Sequence, residues 1–303
     1  MLTINHDAGQ GAVWTADIMP EGGGHCVRLR LNMGDRMVDL FEPVEDEELF
    51  KKPTSYGCPI LFPYANRVAG SRFSWRGREY VVSYPRHGIA RNLVWEVARA
   101  SESSAKLNVV IDERRSRDAF PWHLFCEIEY ALSDSGLRVL LNVRNLGQQC
   151  PYTCGFHPYL QANWKEHMSF WLPVIERMEL DAENLPTGNR RPVSVEDVVI
   201  RGLSGFEPHD ELYRGVLVMC EEKKACYQVL SVSQDRLSRV CVKVDPNTFP
   251  FMCFYTPPGR SAVCIEPYSS ATDALNHIND SDWGARILPE DGLAEFEVTF
   301  GLS

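Results

Sequence analysis

A side-chain period of two, repeated along most of the chain, narrows the possible fold more than any other feature. In GLRVLLNVRNLG (residues 136–147), Leu137, Val139, Leu141 and Val143 fall on one face, with Arg138, Leu140, Asn142 and Arg144 on the other. One face is apolar and the other mostly polar, as a half-buried strand requires. The run follows FCEIEYALSDSG, which makes Asp134-Ser135-Gly136 a hairpin turn. Arg76-Gly77 within RFSWRGREYVV is a second hairpin signal. Similar strand-like runs are HCVRLRLNM, LVWEVARA, AKLNVVIDE, GVLVMCE, ACYQVLSVS, SRVCVKVD, FMCFYTP, AVCIEPY and AEFEVTFGL.

Helical patterns are few and short. EDEELFKK (45–52) and SVEDVVIRGL (194–203) are each long enough for about two turns, a length that is marginal alone. NLPTGNRRP (184–192) is expected to be a loop. Many strands without crossover helices predict an all-β fold, a large antiparallel sandwich or barrel with a few short helices. A chain of 303 residues is within the range of one large β domain, so residues 1–303 are expected to form a single domain.

Charge and cysteine content exclude several classes of function. The net charge of −10, with no basic stripe, argues against a nucleic-acid partner. No apolar stretch is long enough to cross a membrane, and MLTINHDAGQGAVW lacks the basic and apolar regions of an export signal. A cytoplasmic setting is therefore expected, in which the ten cysteines stay reduced. They have neither C-x-x-C nor zinc-type spacing, so core thiols and no structural metal are expected.

Two stretches stand apart. TCGFHPYL (153–160) sets His157 directly before Pro158, and VCIEPYS (263–269) sets Glu266 before Pro267. Proline donates no backbone hydrogen bond, so a ladder is interrupted there or lies at an edge. The residue before it is held extended, which fixes the direction of its side chain. Held this way, His157 and Glu266 have the residue types of a general acid and a general base. Asn66-Arg67 lies between an aromatic loop and a strand, and an arginine fork can orient hydroxyls. His87 precedes Gly88 at a turn, and Asp210 follows His209 before a strand. No phosphate-binding glycine loop, nucleophile elbow or H-E-x-x-H motif is present.

Together, ANRVAGSRFSWRGREY, HGIARNLVWEV, FPWHLFCEIEYAL, YTCGFHPYL and CIEPYSSATDALN resemble, in that order, the aldose 1-epimerases, or galactose mutarotase-like proteins. The resemblance implies a large antiparallel β-sandwich that binds a small sugar and needs no metal or organic cofactor. It implies that His157 is the general acid and Glu266 the general base, with Arg67, Asn66, His87 and Asp210 binding substrate. The implied reaction interconverts the α and β anomers of a free aldose. The alternatives are a sugar-phosphate mutarotase, for which Arg86, Arg91 and Arg260 are candidate cations, and a non-catalytic carbohydrate-binding module on the same scaffold.

Opening a hemiacetal needs a base for the anomeric hydroxyl and an acid for the ring oxygen. The two groups are expected to face one cavity from opposite sides of the sugar. Partial burial is expected to raise the pKa of Glu266. Tyr64, Phe156, Tyr159, Tyr255 and Tyr268 are candidate walls. A bell-shaped pH profile is expected, with ionised Glu266 setting the acid limb and protonated His157 the alkaline limb.

Overall fold

The computed structural model describes residues 1–116, 120–162, 168–194, 199–201, 210–216, 225–233 and 236–302. Strands predominate, and they pair antiparallel. A nine-stranded sheet runs, in spatial order, Val199–Arg201, Met168–Trp171, Ala225–Ser233, Arg236–Val244, Leu293–Leu302, Gly136–Asn145, Leu124–Ser133, Ser104–Ile111 and Glu96–Ala100. An eight-stranded sheet runs Pro186–Pro192, Val174–Leu180, Asp210–Val216, Phe251–Tyr255, Ala262–Tyr268, Gly155–Phe156 and Ile60–Leu61, with Tyr159–Gln161 also paired to Ala262–Tyr268. The fold is an antiparallel β-sandwich, as the alternation predicts.

The alternation is realised residue by residue. Leu137, Val139 and Leu141 are buried and stand opposite Phe300, Val298 and Phe296 on the neighbouring strand. These rows meet the inner face of the eight-stranded sheet. The Phe249 ring lies 5.9 Å from both Phe156 on one sheet and Phe296 on the other. Asp134 and Ser135 make the two-residue turn that pairs Ser133 with Gly136. Gly136 has φ +120°, and a Cβ there would lie 2.1 Å from the Phe300 carbonyl oxygen, so only glycine fits.

A four-stranded sheet, Leu2–Gly9, Ala12–Met19, His25–Asn32 and Met37–Asp39, joins the same core through Ile4, Trp14 and Leu29. The Tyr130 hydroxyl ties it to the large sheet by donating to the Gly24 carbonyl at 2.7 Å. The helix expected in EDEELFKK forms at Asp46–Lys51 and buries Leu49. Its first turn is acidic and its last carries Lys51, which suits the helix dipole. No helix among the described residues is long and apolar enough to cross a membrane.

Two expectations are corrected. Pro186–Pro192, expected as a loop, is a strand paired to Val174–Leu180 at the border of its sheet. Prolines are tolerated there because an edge strand has donors with no ladder partner to lose. SVEDVVIRGL, expected as a helix, contains the strand Val199–Arg201, paired with Ser169–Trp171. Its other residues from 195 to 198 and from 202 lie outside the described residues. Eight cysteines are buried free thiols, as expected. Cys220 and His209 lie outside the described residues.

Candidate functional site

The site follows from which way residues point on two neighbouring strands. Met252, Phe254, Val263 and Ile265 face the sandwich core. Their alternates Cys253, Tyr255, Cys264 and Tyr268 pack on the opposite face of the eight-stranded sheet. Glu266 shares that outward register and stands opposite Cys253. Asp210 opens the next strand, opposite Tyr255.

The two prolines act on the same stretch of ladder. Gly155 pairs with Tyr268, and Tyr159 pairs with Cys264. Both pairs share one register, so His157 stands opposite Glu266 in the unpaired interval between them. Neither dipeptide ends its strand at an edge, since Ala262–Tyr268 has neighbours on both sides. The His157 backbone N–H instead donates to the Pro59 carbonyl at 3.0 Å. Cross-strand partners point to one face, and His157 Nε2 lies 3.4 Å from Glu266 Oε1.

These side chains open onto a cavity of about 410 Å³, lined among others by Asn66, Arg67, His87, His157, Asp210 and Glu266. All six residues singled out from the sequence therefore meet in one place. Arg67 Nη2 is 3.2 Å from Asp210 Oδ2, and Arg67 Nη1 donates to Asn66 Oδ1 at 3.0 Å. The Cys253 thiol donates to Asp210 Oδ1 at 3.7 Å. His87 has φ +67°, and its N–H donates to the Asn66 carbonyl at 2.8 Å. A Cβ on Gly88 would sit 2.2 Å from the Phe62 carbonyl oxygen, so the glycine lets this turn press close enough to bring His87 into the site. The His87 and His157 rings meet edge to face at 5.3 Å.

Of the expected aromatic walls, Tyr159, Tyr255 and Tyr268 line the cavity. Tyr64 and Phe156 belong to the core. Tyr159 stacks on His157, with ring centroids 4.6 Å apart and planes 15° from parallel. The Arg260 guanidinium sits between Tyr159 and Tyr56, 4.6 and 4.2 Å from their ring centroids, and pairs with Glu42. It buttresses the wall behind the cavity and does not line it. Thr54 and Ser55 also line the cavity, from a turn at Pro53–Ser55. Nothing in KKPTSYG distinguishes them in sequence from any other turn.

Burial dominates the electrostatics. It pulls His157 down to about 3, with the Arg91 charge adding to the effect. It pushes Glu266 well above the usual carboxylate range, against the opposing pull of a hydrogen bond from Tyr268. Both shifts favour a pair that holds one proton between its members. The limbs expected from sequence are thereby reversed. Toward acid a second proton adds at His157, and toward alkali the shared proton leaves Glu266. The expectation that the groups face each other across a sugar is also corrected, because at 3.4 Å they are neighbours on one wall.

His157, Glu266 and Cys264 form the one group of three candidate metal ligands among the described residues, with donor atoms within 4.8 Å of one another. Burial pushes the Cys264 thiol well above its ordinary value and disfavours the thiolate that a metal requires.

A family model described as aldose 1-epimerase matches residues 9–299. The Escherichia coli protein YihR, described as uncharacterized, is 26% identical over 159 residues, which cover 49% of this chain and 50% of YihR. E. coli YphB, likewise uncharacterized, is 33% identical over 114 residues, 35% of this chain and 37% of YphB. The matched segments thus span half or less of these curated relatives. A crystal structure of a galactose mutarotase-like protein from Clostridium acetobutylicum superposes with a TM-score of 0.82 at 19% identity, covering 100% of this chain and 98% of that one.

Proposed function

The chain belongs to the aldose 1-epimerase family, and on that premise we propose that it interconverts the α and β anomers of an aldose by acid–base ring opening. The observation that carries this reading is the contact between His157 and Glu266 on the wall of a cavity lined by Arg67, Asn66, His87 and Asp210. A site that only bound sugar would gain nothing from burying an imidazole against a carboxyl group. Burying ionisable groups is costly unless their proton affinities are put to use.

The proton balance explains why adjacent groups suffice. The anomeric oxygen and the ring oxygen are both bonded to the anomeric carbon. In the proposed step the shared proton, which rests on Glu266, passes across the 3.4 Å contact to His157, and the Glu266 carboxylate so formed takes the anomeric hydroxyl proton. A C=O double bond forms there, the bond from that carbon to the ring oxygen breaks, and His157 protonates the departing oxygen. The aldehyde turns about its bond to the second carbon. His157 then recovers its proton as the ring closes on the other face, and Glu266 returns the first. The pair ends as it began, with one proton. Arg67, Asn66 and Asp210 form a hydrogen-bonded set suited to holding sugar hydroxyls while the aldehyde rotates. General acid and base groups positioned in this way contribute about 10²–10⁴-fold each.

The test is exchange NMR on pure anomers of several aldoses. Enzyme should speed equilibration of at least one sugar well beyond the buffer rate. If none is accelerated, the site is a binding module and the acid–base reading is wrong.

A further inference from the structure

We propose that the aldose turned over at this site carries an anionic substituent, held by the guanidinium groups of Arg86 and Arg91. This rests on the mutarotase reading and names its substrate class.

Cationic charge exceeds anionic charge at the cavity. Four arginines stand in or directly behind the cavity wall. Arg67 is paired with Asp210 and hydrogen-bonded to Asn66. Arg260 is paired with Glu42, donates to the Ser55 carbonyl and is stacked between two tyrosines. Arg86 and Arg91 both line the cavity, and neither has a carboxylate partner among the described residues. The shared-proton pair His157–Glu266 is neutral overall, whichever member holds the proton. Two cationic charges are thus left uncompensated in the cavity of a chain whose net charge is −10.

The setting of Arg91 makes that imbalance costly without a ligand. Arg91 Nε is buried with no hydrogen-bond partner. Burial and the neighbouring Arg86 charge both weaken its hold on a proton. An unpaired buried cation is destabilising, and pairing it with an oxyanion recovers that cost. A guanidinium fork offers parallel donors that match a phosphate or carboxylate. Arg86 is exposed at the mouth while Arg91 is half-buried, so the two form a path from solvent to the interior that draws an anionic sugar inward. The cavity, at about 410 Å³, is of a size that holds a small polar ligand such as a substituted hexose.

The experiment compares anomer exchange of glucose, glucose 6-phosphate and glucuronate by NMR, at low and high salt. At least one anionic sugar should exceed glucose in kcat/KM by tenfold or more at low salt, and the advantage should shrink at high salt. Which anion wins distinguishes a phosphate from a carboxylate. The ratio of anionic to neutral kcat/KM should fall at least tenfold in both Arg91→Gln and Arg86→Gln. The second variant alters an exposed side chain and keeps the test valid if the first folds poorly. Glucose turned over as well as either anion, or a ratio unchanged in both variants, would overturn the proposal and leave the mutarotase reading standing. Acceleration of no sugar at all would sink that reading and this proposal with it.

Discussion

The Tyr268 hydroxyl donates to Glu266 Oε2 at 2.5 Å from two residues along the same strand, which leaves Oε1 to face His157. Of the influences on Glu266, this bond is the leading one that opposes burial and favours the ionised carboxylate. Tyr268→Phe should therefore raise the Glu266 pKa further and weaken it as a ready acceptor. Turnover should fall by about 10–100-fold, the equivalent of about 1.5–3 kcal/mol for a hydrogen bond to a charged group. The alkaline limb of the rate profile should move to higher pH. An unmoved limb would mean that Glu266 does not set it.

Glu266→Gln separates activity from stability. The folded-state pKa of Glu266 lies above its unfolded value. Its favourable contribution is therefore complete below the unfolded pKa and is lost as pH rises toward the folded pKa. Glutamine keeps the shape and does not ionise. The variant should lose about 10²–10⁴-fold in turnover yet melt at or above the wild-type temperature, with the gap widening from acidic to neutral pH. Calorimetry across pH checks this, and a gap independent of pH would contradict the burial argument.

Three histidines set the acid stability with the opposite sign. Burial lowers His157 to about 3 and His25 to about 4, and it lowers His87 well below its ordinary value. Each is held neutral, so its contribution is present above about pH 6.5 and is lost as pH falls toward the folded pKa values. Each adds a slope of up to about 1.4 kcal/mol per pH unit in that window. Urea titrations from pH 7 to pH 4.5 should give a shallower slope for His157→Asn than for wild type. Identical slopes would show that His157 is not buried neutral.

The Glu42–Arg260 pair holds the wall that carries Tyr159. Glu42 also accepts from the Ser261 backbone N–H at 3.1 Å. Arg260→Met leaves a buried carboxylate without its cation and should cost about 1–3 kcal/mol. Adding Glu42→Gln should recover part of that loss, because it removes the stranded charge. Thermal unfolding of the single and double variants decides the point, and a double variant weaker than the single would refute it.

What the sequence makes legible here is what local pattern encodes. The alternation at Leu137, Val139 and Leu141 identifies a sandwich strand, and the turn residues at 134–136 and 76–77 place two hairpins. Proline contexts single out His157 and Glu266. Their adjacency depends on strand register across more than a hundred residues of chain, which no local pattern carries, and so the sequence alone suggests opposite sides of the sugar. The hairpin Leu2–Met19 is faint for a different reason. Its first strand does alternate in exposure, but Ile4 is its one fully buried residue and His6 stands in the inward row, so the apolar face is weak. Pro186–Pro192 resembles a loop because a border strand needs neither an apolar face nor a full set of donors. The cations divide in the same way: Arg86, Arg91 and Arg260 look alike in sequence, and only the structure shows that Glu42 already pairs with the third.

The central claim is that His157 and Glu266 work as one unit sharing one proton. The most direct test is anomer-exchange NMR on wild type, His157→Asn, Glu266→Gln and the double variant, using the best substrate found. Groups that act as a unit give grossly non-additive losses. The double variant should be about as slow as the slower single variant, with each single variant down about 10²–10⁴-fold. Losses that multiply in the double variant, or near-normal exchange in Glu266→Gln, would contradict the account.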